Sequence, residues 1–317
     1  MFLPIKADFV LPRFPVLTVV VCVLCSVVFL KQVGDWNDFD AAIGRYCELD
    51  RSRLEEMVFS RIAELENYGH CAEMMYRIAG ADDGPSMIEN IVLESRPLVG
   101  LDRVESQEYI RQMLTTELRK YRTIVPPDPD DGLAYYTGSW NPWYMITSAF
   151  AHGDWAHIIF NLVFFVAFAG TVEALIGPLA FMASIVTISL FTGVFSSISA
   201  IATGGHYWTL GLSGVVMGMM GLYSYLLPRG KIRCWYFFII IFGTIAVPAW
   251  ALALWYVGGD LFALFAYEDH GMVNVMAHVT GGIGGFLFGL LFLRKAKERA
   301  RELQADLDGS QFKPKFT

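Results

Sequence analysis

Cysteine and charged residues are scarce in this chain, and the common metal-binding signatures are missing from it. Only 5 of its 317 residues are cysteine, and they form no cluster of the kind that holds zinc. No H-E-x-x-H pattern occurs. Charged residues make up 17% of the chain, whereas 55% of it is hydrophobic and the mean hydropathy is +0.44. Such a composition is too apolar for one soluble domain and indicates a membrane protein.

Basic residues are too few to suggest a nucleic-acid partner. The net charge is −7, and it is unevenly distributed, because residues 32–140 hold 11 Lys and Arg against 21 Asp and Glu. An acidic surface gives no support for binding nucleic acid or anionic lipid. We interpret this acidic segment as a solvated surface.

Long uncharged runs are what the chain has in abundance. A helix needs about 20 mostly apolar residues to cross a bilayer. Six stretches meet or approach that length: Phe14–Leu30, Trp155–Val172, Ala174–Ile198, Gly211–Leu227, Cys234–Val257 and Gly271–Leu293. The first is long for a signal peptide and no small-x-small cleavage site follows it, which favours an uncleaved helix. We therefore predict an all-α polytopic membrane protein with six transmembrane helices.

The distribution of charge between the spans predicts the orientation. Lys and Arg follow spans four and six, whereas the loop between spans five and six contains Asp260, Glu268 and Asp269 and no basic residue. By the positive-inside rule, both termini are cytoplasmic. The predicted domains are then the N-terminal tail with span one (1–31), an extracytoplasmic insertion (32–140), a membrane core (141–293) and a charged cytoplasmic tail (294–317).

The sequence of the insertion predicts helices. Ser52 and Glu55 have capping-box spacing at the head of an amphipathic run that ends near Gly69, and a second amphipathic run covers 109–121. Cys47 and Cys71 also lie here, where oxidation would permit a disulfide, although sequence alone does not show the geometry required. The insertion carries no chemical motif. A structural cap and a binding surface for a substrate or an unknown partner both remain open.

Four polar side chains interrupt the apolar spans: His157 and Asn161 in span two, Ser213 in span four and His278 in span six. Polar residues inside a bilayer are costly and usually mark function, although hydrogen bonding between helices would explain any one of them. Spans two, four and six all run inward, and the four residues lie at a similar shallow depth. That agreement predicts a water-accessible cavity that opens to the outer side.

The chemistry of these four side chains suits acyl hydrolysis. Ser213 attacks a carbonyl carbon if a base removes its proton, and His278 is a suitable base. Asn161 and His157 are candidates to donate hydrogen bonds to the developing oxyanion, together with the backbone N–H of Ser213. No Asp or Glu lies in spans four or six. The sequence therefore predicts a Ser–His dyad rather than a triad.

Glycines accompany both members of the predicted dyad. Span six carries Gly281, Gly285 and Gly289 at four-residue spacing after His278, and span four has glycines at positions 211, 214, 218 and 221. Small residues at this spacing let two helices approach closely. We expect spans four and six to pack together along these residues and to bring His278 within reach of Ser213.

With these residues in place, the sequence resembles the rhomboid intramembrane serine proteases. The matching motifs are "HGDWAHIIFN" ending at Asn161, "GLSG" around Ser213 and "AHVTGGIGG" around His278. They fall in that order on spans two, four and six. The resemblance covers span one and about residues 140–293, and it does not cover the insertion. It implies a six-helix rhomboid-like bundle with Ser213 as nucleophile and His278 as general base.

The resemblance also assigns supporting roles and a substrate class. His157 and Asn161 would support the oxyanion, Gly211 and His152 would support the site, and Glu173 would stabilise helix ends. Rhomboids cleave single-span membrane proteins near the outer end of the substrate helix, and they use no cofactor or metal. A loop that corresponds here to residues 258–272 would cap the site.

Three features depart from the rhomboid pattern. Trp143-Tyr144 stands where rhomboids usually have Trp-Arg, and Met217 stands where a tyrosine commonly stacks on the catalytic histidine. The third departure is the large insertion itself. None of the three removes a catalytic group.

Two other functions remain as alternatives. One is a metal-binding membrane protein built on the histidines of the outer side, which are His152, His157, His206, His270 and His278. The other is a rhomboid-like protein that binds membrane helices without cutting them. We favour the protease, in a bacterial inner membrane with the active site facing outside, whose partners are the lipid bilayer and single-span substrates.

Overall fold

The computed structural model describes residues 2–8, 13–66, 71–81, 83–238, 241–266 and 274–311. In chain order, its elements are β1 (Phe2–Ala7), α1 (Val16–Cys47), α2 (Arg53–Glu66), α3 (Cys71–Gly80), α4 (Gly84–Glu94), α5 (Arg103–Ile124), β2 (Tyr135–Tyr136), α6 (Pro142–Thr147), a 3₁₀ turn (Ser148–Phe150), α7 (Trp155–Ile176), α8 (Pro178–Thr203), β3 (Trp208–Thr209), α9 (Ser213–Leu226), β4 (Lys231–Phe238), β5 (Ile241–Pro248), α10 (Ala249–Ala266), α11 (Val275–Phe292) and α12 (Arg294–Gln311). The chain divides into two compact units, one formed by Met1–Leu30 with Leu133–Thr317 and the other by Lys31–Gly132.

Four helices, α1, α7, α8 and α11, are long and apolar enough to cross a membrane among the residues described. The prediction of an integral membrane protein is confirmed, whereas the count of six spans remains a prediction. The 14 residues of α9 extend for about 21 Å, less than the roughly 30 Å of a hydrocarbon core. Every α9 residue from Gly214 to Leu226 is buried. An apolar helix of this kind lies inside the protein, with protein rather than lipid on all sides.

A three-stranded antiparallel sheet of order β1-β4-β5 replaces the first half of predicted span five. That span was expected at Cys234–Val257, but Lys231–Phe238 and Ile241–Pro248 form the β4–β5 pair, and α10 begins only at Ala249. The segment is rich in β-branched and aromatic residues, which favour strands. Ile232 and Cys234 are both fully buried, as alternate residues on one face of a strand are. The described chain is mostly helical, as expected, but it is not all-α, and the predicted start of this span is wrong.

A carboxylate from α7 holds the first turn of α1. Glu173 is buried, and its two oxygens accept hydrogen bonds from the backbone N–H groups of Leu17 (2.9 Å) and Thr18 (2.7 Å). The Thr18 hydroxyl donates a third, at 2.8 Å. The first N–H groups of a helix have no partner inside the helix, and its N-terminus attracts negative charge. The expected stabilising role of Glu173 at a helix end is confirmed, although this residue lies within α7 rather than after it.

Replacing Glu173 with alanine is expected to lower stability, because it leaves the amides of Leu17 and Thr18 without their acceptor. A buried donor left unpaired costs about 1–3 kcal/mol. Glu173→Gln keeps one acceptor oxygen and should show a smaller loss. The measurement is the thermal midpoint of the full chain in one detergent. An alanine variant that melts with the wild type would contradict the assignment.

The unit Lys31–Gly132 has a helical core of its own. The second half of α1 and helices α2–α5 surround buried residues that include Tyr46, Met75 and Leu114. The predicted capping box is confirmed at the start of α2, where the Ser52 N–H donates to the Glu55 carboxylate at 2.6 Å and the Glu55 N–H donates to the Ser52 hydroxyl at 3.3 Å. Gly69, the expected helix end, lies outside the described residues.

A disulfide settles the question that the sequence left open in this unit. Cys47 at the end of α1 is bonded to Cys71 at the start of α3, with Cα atoms 5.9 Å apart. That separation is ordinary for a disulfide. The bond closes the segment that contains α2.

Candidate active site

Ser213 is the first residue of α9, and the turn before it depends on Gly211. Gly211 has a φ of +118°, a conformation that glycine adopts readily and other residues rarely do. Its N–H donates to the carbonyl oxygen of Ser148 at 2.9 Å, which fixes the turn. Ser213 is partly exposed, whereas Leu212 and Gly214 on either side are buried. The fold therefore presents one hydroxyl at the N-terminus of a buried helix.

Glycines bring α9 and α11 into backbone contact. A Cβ added to Gly281 would overlap the carbonyl oxygen of Gly214, and one added to Gly285 would overlap that of Gly218. A Cβ on Gly214 would lie 3.4 Å from the carbonyl oxygen of Ala277, the residue before His278. The predicted packing of spans four and six along these glycines is confirmed. It places the residues next to Ser213 and His278 in contact with each other.

His278 lies on the first turn of α11 and is paired with a carboxylate from α10. Its Nδ1 is 2.8 Å from Oδ2 of Asp260. The two side chains are 14% and 26% exposed, so the pair is largely enclosed by protein. The sequence interpretation placed Asp260 in the loop between spans five and six. That interpretation is wrong, because α10 runs through this position to Ala266.

His157 packs against the turn that precedes Ser213. Its backbone N–H donates to Asp154, the N-cap of α7, at 2.8 Å. The His157 Nδ1 accepts a hydrogen bond from the Gly153 N–H at 3.4 Å, so a neutral ring carries its proton on Nε2. That Nε2 faces Gly211, where an added Cβ would lie only 2.6 Å away. A ring N–H donor therefore lies beside the serine loop.

Asn161 and His152 flank His157. Asn161 is one turn further along α7 and 7% exposed, and His152 is 1% exposed with its ring 5.1 Å from that of His157. Burial lowers the pKa of His152 to about 4, and the nearby His157 acts in the same direction. His152 is consequently neutral near pH 7 and has the surroundings of a packing residue. The supporting role expected for His152 stays a prediction.

A small cavity of about 40 Å³ opens beside Ser213. Serine and threonine hydroxyls from α8 line it, together with Gly211 and Asn274. Asn274 caps α11 and donates from its amide to the hydroxyl of Thr209 at 2.9 Å. By size the cavity holds roughly two or three water molecules. Its polar lining suits water, which is a reactant in any hydrolysis.

Met217 is buried on α9, and Trp143 on α6 is 67% exposed. Residues 267–272 of the expected cap, with His270, lie outside the described residues. Across the residues that are described, no group of three or more His, Cys, Asp or Glu side chains is arranged to hold a metal ion.

Asp260 is the residue of this site that sequence reasoning missed. The signal was present, since Asp260 is the single charge in the 18 residues of α10, "AWALALWYVGGDLFALFA". A lone carboxylate in such a run is a candidate for function. Hydropathy predicts a start for span five that lies 15 residues before the start of α10, so Asp260 falls beyond the end of the predicted span.

Comparison with known proteins agrees with this architecture. Residues 139–295 match the family model described as a Rhomboid domain. "Rhomboid protein 1, mitochondrial" of Saccharomyces cerevisiae is 30% identical over 51% of this chain and 45% of its own length. A rhomboid protein of Bacillus subtilis is 25% identical over 53% of this chain and 74% of its own length. The human "Presenilin-associated rhomboid-like protein, mitochondrial" is 25% identical over 49% of this chain and 38% of its own length.

The matches therefore span less than half the length of either mitochondrial relative. The family model covers α7 to α11 and all the site residues described above. The large unit Lys31–Gly132 falls outside the family model. Through residues 139–295, the chain is identified as a member of the rhomboid family.

Proposed function

We propose that this protein is an intramembrane serine endopeptidase that cuts membrane-protein substrates near the outer end of their transmembrane helices. The observation that carries the proposal is the glycine contact between α9 and α11. It brings the start of α9, with Ser213, against the turn of α11 that bears His278. A nucleophile and a base on adjoining helices are what acyl transfer to water needs.

In the proposed reaction, the Ser213 hydroxyl oxygen attacks the carbonyl carbon of the scissile bond while His278 removes its proton. The resulting imidazolium then gives that proton to the leaving amine nitrogen, and the amine product departs. An acyl ester on Ser213 remains. Water, for which the polar cavity beside Ser213 offers room, hydrolyses this ester with His278 acting again as base.

The oxyanion that forms in each step needs hydrogen-bond donors. The backbone N–H of Ser213 is available, because the first N–H groups of a helix have no partner within it. His157 offers its Nε2–H beside Gly211, and Asn161 follows one turn along the same helix face. Losing one such donor typically costs 10²–10³ in rate. We assign the oxyanion site to these three groups.

The orientation of the protein in its membrane is part of the same proposal. Lys and Arg follow α9 and α11, and by the positive-inside rule this supports a cytoplasmic position for those helix ends. Ser213 and His278, at the other ends of these helices, then face outside. We propose a bacterial inner membrane; the relatives named above include one protein of Bacillus subtilis and two mitochondrial proteins.

The position of the cut tests the proposal. A peptide bond must come within about 3–3.5 Å of the nucleophile. Since Ser213 and His278 both lie in the first turns of inward-running helices, the cut should fall in the outer third of the substrate helix or just beyond it. The substrate backbone must also unwind there, so helix-weakening Gly or Pro near the cut should speed cleavage.

The experiment uses the purified full chain and a single-span model substrate in lipid vesicles, with product masses as the readout. Ser213→Ala protein is the matched control for contaminating proteases. Products that map to the outer third and disappear with Ser213→Ala support the proposal. Products from the cytoplasmic half would overturn the orientation, and products that persist with Ser213→Ala would overturn the mechanism.

A further inference from the structure

The hydrogen bond between Asp260 and His278 has no place in a two-residue mechanism. Oδ2 of Asp260 lies 2.8 Å from Nδ1 of His278, which is the length of a charge-assisted bond. Only 26% of the Asp260 side chain and 14% of the His278 side chain are exposed. A pair this enclosed is shielded from the solvent screening that weakens surface ion pairs.

Helix packing places the two residues opposite each other. A Cβ added to Gly282 of α11 would lie 2.7 Å from a methyl group of Val257 on α10. Val257 is three residues before Asp260, and Gly282 is four residues after His278. Both spacings are close to one helical turn. The missing side chain at Gly282 therefore lets α10 approach α11 where the carboxylate meets the imidazole.

The bond also fixes which nitrogen of His278 acts as the base. A carboxylate oxygen accepts hydrogen bonds, so Nδ1 of His278 is the donor and carries a proton. In the neutral ring, Nε2 is then the unprotonated nitrogen. The nitrogen that must receive the Ser213 proton is thereby kept free to receive it.

We infer that Asp260 is a positioning residue that orients His278 and stabilises the imidazolium formed during proteolysis. This inference rests on the proposed function. When Ser213 Oγ bonds to the substrate carbonyl carbon, its proton moves to Nε2 of His278 and the ring becomes positive. Asp260 keeps its hydrogen bond to Nδ1–H and takes no proton. The positive ring, once it gives the Nε2 proton to the leaving amine, returns to its starting state.

The expected effect follows from the charge that Asp260 supplies. Removing the aspartate of soluble serine-protease triads lowers kcat by roughly 10⁴. Asp260 is partly exposed, so water replaces some of the lost stabilisation. We therefore expect Asp260→Asn, which keeps the shape and removes the charge, to lower kcat by roughly 10²-fold. KM should stay within about twofold, because the imidazolium exists only along the reaction path.

The experiment measures kcat and KM for a single-span substrate with the full chain in lipid vesicles. It compares wild type, Asp260→Asn, Asp260→Ala and Asp260→Glu, and it includes the thermal midpoint of each. Leu261→Ala is the matched control, because Leu261 is the next residue of α10 and its side chain is 44% exposed. Asp260→Glu restores a carboxylate on a longer arm and should recover part of the lost kcat.

Loss of kcat in Asp260→Asn with unchanged KM and melting, and partial recovery in Asp260→Glu, supports the inference. An Asp260→Asn kcat within twofold of wild type overturns it. A loss of kcat that equals the loss of folded protein also overturns the inference, and so does a loss that Leu261→Ala shows as well. In either case the contact would serve only to stabilise the structure. Failure of the proposed function would look different. The wild type would then show no cleavage that depends on Ser213.

Discussion

Replacing Ser213 with alanine is expected to reduce proteolysis by roughly 10⁶-fold while the protein stays folded. The substitution removes one oxygen atom from a partly exposed position at the start of α9. Without that oxygen, no acyl ester forms. His278→Ala should cost a similar factor, because an unassisted serine hydroxyl is a weak nucleophile near pH 7. The measurement is cleavage of a single-span substrate by purified protein, with thermal melting as the check on folding.

The double variant Ser213→Ala with His278→Ala sharpens this expectation. Residues that act as one unit are not additive, so the double variant should be no slower than either single one. Ser224→Ala is the matched control, since Ser224 lies on the same helix and its hydroxyl donates to the carbonyl oxygen of Met220 within that helix. A folded Ser213→Ala protein that cuts at the wild-type rate would refute the mechanism.

Replacing Gly285 with alanine is expected to damage both stability and activity. The new methyl group would overlap the carbonyl oxygen of Gly218, a backbone atom that cannot rotate away. The two helices must separate, and overpacking of this kind costs about 1–3 kcal/mol or more. The shift also moves His278, two turns earlier on the same helix. A displacement of about 1 Å in a catalytic group lowers rates by roughly 10²-fold.

The adjacent glycine supplies the control for this variant. A Cβ on Gly284 would lie 2.8 Å from a ring carbon of Phe191, a side chain that can turn aside. Gly34→Ala is a second control, because nothing lies within 4 Å of the position on α1. We expect thermal midpoints to fall most for Gly285→Ala, less for Gly284→Ala and not at all for Gly34→Ala. Equal melting and equal activity in all three would contradict the close helix contact.

The parts of the site that depend on local pattern were predictable from the sequence. Ser213 and His278 were visible because polar residues are rare in apolar spans, and the glycine spacing indicated which helices would meet. The capping box at Ser52 and Glu55 was also predictable, because the whole motif lies within four residues. Each of these features is determined by neighbours along the chain.

Features that depend on contacts across the chain were not predictable in this way. Hydropathy cannot distinguish a buried apolar strand from a membrane helix, so the β4–β5 segment was assigned to span five. Because the predicted span ended before Asp260, this residue was not expected on a helix, and its bond to His278 was not expected either. The disulfide of Cys47 with Cys71 likewise required a geometry that no pattern of residues specifies.

The sheet that joins β1 to β4 has a consequence for synthesis of the protein. Asp8, just after β1, pairs with Arg233 of β4, 225 positions later in the chain. At about 5–20 residues per second, the ribosome needs roughly 10–45 s to make the intervening chain. Residues 2–7 are thus translated long before their partner strand exists. During that interval the backbone N–H and C=O groups of this segment have no strand partner, and they can pair with another extended chain.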